Sequence, residues 1–154
     1  MSLRWEWKRF DDLTANEVYT ILCVRQQVFV LEQECLYLDA DGKDRKCFHL
    51  MGFDGDELVA YARIVDAGVS YEEVAMGRIL TTAKARGTGA GIELMQVGLE
   101  HIKAHYGNVP IRISAQTYLL KFYEKFGFKS TGKQYLEDEI PHTEMLRQGL
   151  AKND

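Results

Sequence analysis

The sequence has little of several features that mark specialised classes of protein. No apolar run approaches the length of a bilayer-spanning helix, and the first residues lack the basic-then-apolar layout of a signal peptide. The 19 basic residues are outnumbered by 23 acidic ones, whereas a nucleic-acid partner requires a clustered basic surface. We therefore expect a cytoplasmic protein that binds neither a membrane nor nucleic acid.

Cysteine is also scarce. Cys23, Cys35 and Cys47 are odd in number, and no two of them have the close spacing of a zinc site or a redox motif. The aspartates between Asp39 and Asp44 resemble a calcium loop only superficially, because the required glycine position and the distal glutamate are missing. We therefore expect no bound metal ion.

The spacing of apolar residues predicts one domain of mixed α/β or α+β structure. A capping box at Thr14 and Glu17 predicts a first helix that runs to about Gln33. A long helix follows residue 90, and a short one spans 117–126. The predicted strands are residues 4–10, 46–53, 57–65, 74–81 and 111–115, followed by a hairpin within 128–146.

A glycine-rich segment, Arg86 to Gly91, lies between a predicted strand and the long helix. Glycines at a helix start leave backbone amides uncovered, and the helix dipole favours an anion such as phosphate at that point. The segment lacks the lysine and hydroxyl of a P-loop and the glycine spacing of a dinucleotide fold. The residues alone leave two interpretations open, a phosphate site or a tight strand-to-helix turn.

The same segment resembles the acetyl-CoA loop of the GNAT superfamily, which reads Arg or Gln, two residues, Gly, one residue, then Gly or Ala. Here these positions are Arg86, Gly89 and Gly91. The preceding strand, Gly77-Arg78-Ile79-Leu80-Thr81, is similar to the family strand that offers backbone groups to the pantetheine arm. A second motif, residues 115–128, resembles the family's closing strand-helix-strand with its Phe-Tyr-x-x-x-Gly-Phe ending.

Two further segments, residues 25–41 and 135–142, resemble ElaA-type acetyltransferases of this superfamily. Leu36 stands where these proteins usually have proline, and Glu139 stands where they usually have glycine. The resemblance implies one domain over residues 4–148. It also implies a twisted, mostly antiparallel sheet of six to seven strands flanked by about four helices.

The resemblance further implies an N-acetyltransferase that moves an acetyl group from acetyl-CoA to a primary amine by direct attack in a ternary complex. Acetyl-CoA would be the cosubstrate, and the acceptor would be a small molecule or a peptide or protein amine. A homodimer is left open. The alternative function is a non-catalytic module that senses CoA or acyl-CoA.

Candidate catalytic residues follow from the same resemblance and from residue type. Tyr123 has the position of the phenol that protonates the departing thiolate, although packing is the alternative role for this side chain. A backbone amide near Leu80 is the expected oxyanion donor. For the base, His49, Glu32 and His142 are candidates by type. The residues expected to contact acetyl-CoA are Ile79, Leu80, Thr81, Arg86, Gly87, Thr88, Gly89, Ala90, Gly91, Gln116, Phe122 and Tyr123.

Overall fold

The protein forms a seven-stranded sheet, described by a computed structural model for residues 2–149. Its strands lie in the order β1-β2-β3-β4-β5-β7-β6, and every neighbouring pair is antiparallel except β4 and β5. This confirms the predicted mostly antiparallel sheet. The strands are β1 Arg4–Arg9, β2 Cys47–Asp54, β3 Glu57–Val65, β4 Val74–Thr81, β5 Ile111–Gln116, β6 Lys129–Glu137 and β7 Ile140–Arg147.

Three α-helices accompany the sheet within residues 2–149, one fewer than the expected four: α1 Ala15–Arg25, α2 Ala90–Tyr106 and α3 Leu120–Glu124. The capping box at Thr14 and Glu17 is present, and α1 continues as a π-helix, Gln26–Glu32. The third helix is shorter than predicted because its first residues form a 3-10 turn, Thr117–Leu119. None of these helices has the length and apolar character to cross a bilayer.

Alternation along the strands divides the core between the two faces of the sheet. Met76, Ile113 and Ala115 belong to the cluster that packs under α2, whereas Tyr61 and Leu80 pack with α1 and the π-helix. Gly98 allows α2 to approach the sheet closely, since a β-carbon there would lie 2.7 Å from the Met76 side chain.

The parallel pair β4 and β5 separates soon after it begins. Its pairing is confined to Val74 with Ile111 and Ala75 with Arg112. Beyond this point, β4 also contains a bulge, because its register with β3 shifts by one residue between the partners of Tyr61 and Arg63. The two strands therefore open a gap in the sheet towards their carboxyl ends.

Candidate active site

A cleft of about 490 Å³ occupies the gap between β4 and β5. Val28 and Phe29 of the π-helix line it from one face of the sheet, and Leu94 and Phe122 line it from the other. We call this cavity the through-sheet cleft. Eight of the residues expected to contact acetyl-CoA line it: Ile79, Leu80, Thr81, Arg86, Gly91, Gln116, Phe122 and Tyr123.

The other four expected contacts, Gly87, Thr88, Gly89 and Ala90, form the glycine loop at the start of α2. Gly87 and Gly89 have φ angles of 78° and 85°, a left-handed conformation that favours glycine. Gly89 is the N-cap residue of α2 and makes no side-chain capping hydrogen bond. The first amides of a 17-residue helix are thus left uncapped by a side chain, which is the arrangement that binds phosphate.

Arg86 joins this loop to the end of the π-helix. Its Nη2 donates to Glu32 Oε1 at 2.6 Å and to the carbonyl oxygen of Thr81 at 3.0 Å. Glu32, one of the three candidate bases, is therefore paired with an arginine beside the glycine loop. Its carboxylate lies on the side of the cleft where a diphosphate would bind.

Within residues 2–149, the edge of β4 that faces the gap has no strand partner beyond Ala75. The backbone groups between there and Thr81 that point away from β3 are available to a ligand in the cleft. The Leu80 side chain is buried against the π-helix. Thr82 donates its amide to Val59 of β3, and alternation from that bond directs the backbone groups of Thr81, next to Leu80, away from β3 and towards the gap.

Tyr123 projects from α3 into the same cleft and is only 6% exposed. Its ring packs edge-on against Phe122 and Phe128. Burial, with a smaller contribution from nearby Tyr118, raises the pKa of Tyr123 well above the usual value for tyrosine. The phenol therefore stays protonated at neutral pH and can act as a proton or hydrogen-bond donor.

The structure does not bring His49 to the cleft. Its side chain is 1% exposed and lines a separate cavity beside α1. Its ring nitrogens hydrogen-bond the Tyr61 hydroxyl at 2.6 Å and the Asp44 carbonyl at 2.8 Å. Burial lowers the pKa of His49, so the ring is neutral and engaged in the core.

His142 lies on β7, directly opposite Gln116 of β5. Its Nδ1 is 2.8 Å from the Ile140 carbonyl, and its Nε2 is 3.3 Å from a carboxylate oxygen of Glu137. His142, Gln116 and Glu137 line a narrow groove that shares Phe29 and Gln33 with the through-sheet cleft. Of the two histidine candidates, His142 is thus the one beside the cleft.

A larger polar groove of about 250 Å³ lies on the α1 face of the sheet. It shares Arg78 and Glu137 with the narrow groove. Sequence reasoning missed Gln33, Arg78 and Ser114 as candidates for these grooves. No periodicity or spacing could have found them, because they come from three distant segments that meet only in the folded chain.

The chain is similar to known proteins over nearly its full length. The family model described as an acetyltransferase (GNAT) domain matches residues 11–148. A UPF0039 protein of Synechocystis is 42% identical over 147 residues, which are 95% of this chain and 96% of that protein. Protein ElaA of Escherichia coli is 38% identical over 148 residues, with 95% and 97% of the two chains covered.

A solved structure of an acyl-CoA N-acyltransferase from Pseudomonas aeruginosa superposes with a TM-score of 0.91 at 38% identity. The match covers 95% of this chain and 99% of that one. The fold, the family model and the relatives over nearly the full length all agree. The chain therefore belongs to the GNAT acetyltransferase family and is an acyltransferase related to ElaA.

Proposed function

We propose that the protein is an N-acetyltransferase that moves an acetyl group from acetyl-CoA to the primary amine of an acceptor. The observation that carries this proposal is that one cleft is lined from both faces of the sheet and has both the end of the glycine loop and Tyr123 in its wall. Such a cleft lets a thioester and an amine reach the same point from opposite faces. The acceptor and the acyl donor can then bind together, and no covalent enzyme intermediate is needed.

The donor would bind with its diphosphate on the amides of Gly87 to Gly91 and beside Arg86. Its pantetheine arm would follow the unpaired edge of β4, which brings the thioester to Leu80. There a backbone amide would stabilise the oxyanion that forms when the amine attacks the carbonyl carbon. Acetyl-CoA bound in this way would contact the cleft and the glycine loop and would require no rearrangement of the sheet.

Breaking the carbon–sulfur bond releases a thiolate, to which the Tyr123 hydroxyl would donate a hydrogen bond. The pKa of Tyr123 is raised, while that of an ordinary thiol is about 8.5, so donation of a strong hydrogen bond is favoured over complete loss of the phenol proton. The attacking amine must also lose a proton. We assign His142, which lies opposite Gln116, and Glu137, which is close to His142 Nε2, to accept this proton directly or through water.

Release of CoA thiol from acetyl-CoA in the presence of a broad panel of primary amines tests this function. Tyr123→Phe removes only the hydroxyl, so kcat should fall by about 10²–10⁴ while the Kd of acetyl-CoA stays the same. Tyr19→Phe is the matched control, because Tyr19 is a highly exposed tyrosine on α1.

Binding and turnover separate the alternatives. Gly89→Glu should abolish acetyl-CoA binding, since it places a negative side chain at a left-handed position of the phosphate site. A wild-type protein that binds acetyl-CoA but releases no thiol with any amine would be a sensor module instead. Absence of binding to both acetyl-CoA and CoA would overturn enzyme and sensor alike.

A further inference from the structure

The polar groove lies on the opposite side of the sheet from α2. Met76, Ile113 and Ala115 face α2. Gly77, which follows Met76, and Ser114, which lies between Ile113 and Ala115, therefore face the groove. Arg78 and Glu137 line both this groove and the narrow one that leads to the through-sheet cleft. A molecule that reaches the cleft from the α1 face would therefore pass these two side chains.

Arg78 has the features of a residue kept for binding rather than for packing. It lies in the β4 bulge with a φ angle of 49°, a conformation that is costly for a residue other than glycine. Its guanidinium carbon lies 4.8 Å from the ring centre of Phe29 and 5.7 Å from that of Tyr37. Two aromatic rings thus hold the charged group in place at the junction of the grooves.

Arg78 also has unused hydrogen-bonding capacity. Its buried Nε has no hydrogen-bond partner among residues 2–149. Asp39 Oδ1 is 3.1 Å from that nitrogen, close enough for an ion pair, but the N–H group is not directed at the oxygen. Asp39 is also committed elsewhere, since its Oδ2 accepts from Arg25 at 2.6 Å.

The two neighbouring arginines differ from Arg78 in that each donates to a carboxylate, although the buried Nε of Arg63, like that of Arg78, has no hydrogen-bond partner among residues 2–149. Arg25 donates to Asp39 and to Asp44, each at 2.6 Å. Arg63 holds Asp41 through both of its terminal nitrogens, at 2.8 and 2.9 Å. The Arg25 pairs fix the loop between α1 and β2 to α1, and the Arg63 pair fixes it to β3. In the described part of the chain, Arg78 is the member of the trio whose guanidinium makes no hydrogen bond to a carboxylate, and it lines both grooves.

We propose that Arg78 binds a carboxylate of the acceptor, and that the acceptor is a small primary amine that also carries a carboxylate group. A guanidinium fork matches a carboxylate in geometry and charge, and desolvation by the surrounding rings strengthens the pair. Glu137, half exposed in the same grooves, provides a negative charge for the ammonium form of the amine. The ligand's role as acceptor rests on the proposed acetyl transfer, whereas its recognition by Arg78 does not.

Matched pairs of acceptors test the inference. Each pair consists of an amino acid, or a short peptide, and the same molecule with its carboxylate converted to an amide. Wild type should favour the carboxylate member in kcat/KM by at least about tenfold, the value of one charge-assisted hydrogen bond. The carboxylate could belong to a free amino acid or to the C-terminus of a short peptide, and the pair that shows the preference identifies which of the two is the acceptor.

Arg78→Gln should remove this preference by lowering kcat/KM for the carboxylate member, while the amide member changes by less than about threefold. Arg78→Lys keeps the charge but loses the fork, so it should restore only part of the preference. If Arg78 had only a structural role, the substitution would lower kcat/KM equally for the carboxylate and the amide member. Arg45→Gln is the matched control, because Arg45 is exposed and lines the cavity beside α1 instead.

Calorimetry with the N-acetyl products provides a measurement that needs no turnover. Products with a free carboxylate should bind wild type more tightly than their amides, and Arg78→Gln should remove the difference. Turnover of amines without any carboxylate preference would overturn the inference and leave the proposed function standing. Arg78-dependent binding without thiol release from any amine would support the carboxylate site and count against acetyl transfer. The absence of both a carboxylate preference in turnover and Arg78-dependent binding would overturn the inference.

Discussion

Replacing Glu32 with glutamine tests whether its carboxylate competes with CoA for Arg86 or acts as the base. The two side chains are joined at 2.6 Å and are 33% and 46% exposed. An ion pair with this exposure is worth about 0.2–1 kcal/mol. A diphosphate on the glycine loop must draw Arg86 away from Glu32. Glu32→Gln should therefore tighten CoA binding by up to about fivefold, with kcat changed by less than about twofold.

Titration calorimetry with CoA measures this effect directly. The gain should shrink in high salt, because the partly exposed charges are screened. Glu34→Gln is the control, since it removes the same charge from an exposed residue two positions along the chain. A similar gain in that variant would mean that general charge, and not release of Arg86, is responsible.

Two outcomes would refute the competition between Glu32 and the diphosphate. An unchanged Kd would show that Arg86 can serve both groups at once. A fall in kcat of about 10²–10⁴ with an unchanged Kd would instead identify Glu32 as the general base. The base assigned to His142 and Glu137 would then be wrong.

Three further predictions concern stability. Gly52→Ala should cost about 1–3 kcal/mol in urea unfolding, since the new β-carbon would lie 2.6 Å from the Trp5 ring; a loss below about 0.5 kcal/mol would refute this packing. Glu139→Gly should stabilise by about 0.5–1 kcal/mol, because residue 139 has a φ of 66°, and a destabilised variant would show that the turn is unstrained. Burial raises the pKa of Asp41, but hydrogen bonds from Arg63 outweigh burial and lower the pKa to about 2. Because Asp41 is exposed and its ion pair is screened by solvent, its contribution should be about 1 kcal/mol, present above pH 4 and lost as the pH falls towards 2. Unfolding of Asp41→Asn, followed over the same pH range, should lack this decline.

The sequence was most informative where a feature is contained in one short segment. The capping box at Thr14 was predicted correctly because it depends on residues within a few positions of each other. The glycine loop is equally local. Its left-handed glycines and the start of α2 lie within six residues, which is why its resemblance to a known loop was easy to detect.

Elements whose conformation depends on tertiary packing were less predictable. The first helix was expected to continue as one helix, and its length was right. Its second half is π-helical, however, which places Phe29 and Glu32 along the cleft. The local composition does not predict this change from α-helix to π-helix. His49 was similarly a reasonable candidate by type, and only the packing of Tyr61 and the Asp44 carbonyl shows that its ring is committed to the core.

The acidic loop between α1 and β2 shows why the sequence did not indicate a binding site for the acceptor. Its aspartates suggested a superficial calcium loop, but in the structure they pair with arginines from α1, β3 and β4. Three carboxylates and three guanidiniums balance one another, so composition alone would assign the region no net preference for a ligand. The preference arises from geometry, because the pairing satisfies Arg25 and Arg63 more fully than Arg78. The proposed donor site lies mostly in consecutive residues and could be proposed from the sequence, whereas the proposed acceptor site is assembled from four separate parts of the chain. A family resemblance can therefore identify the class of reaction, acyl transfer, and the proposal for the acceptor depends on the geometry at Arg78.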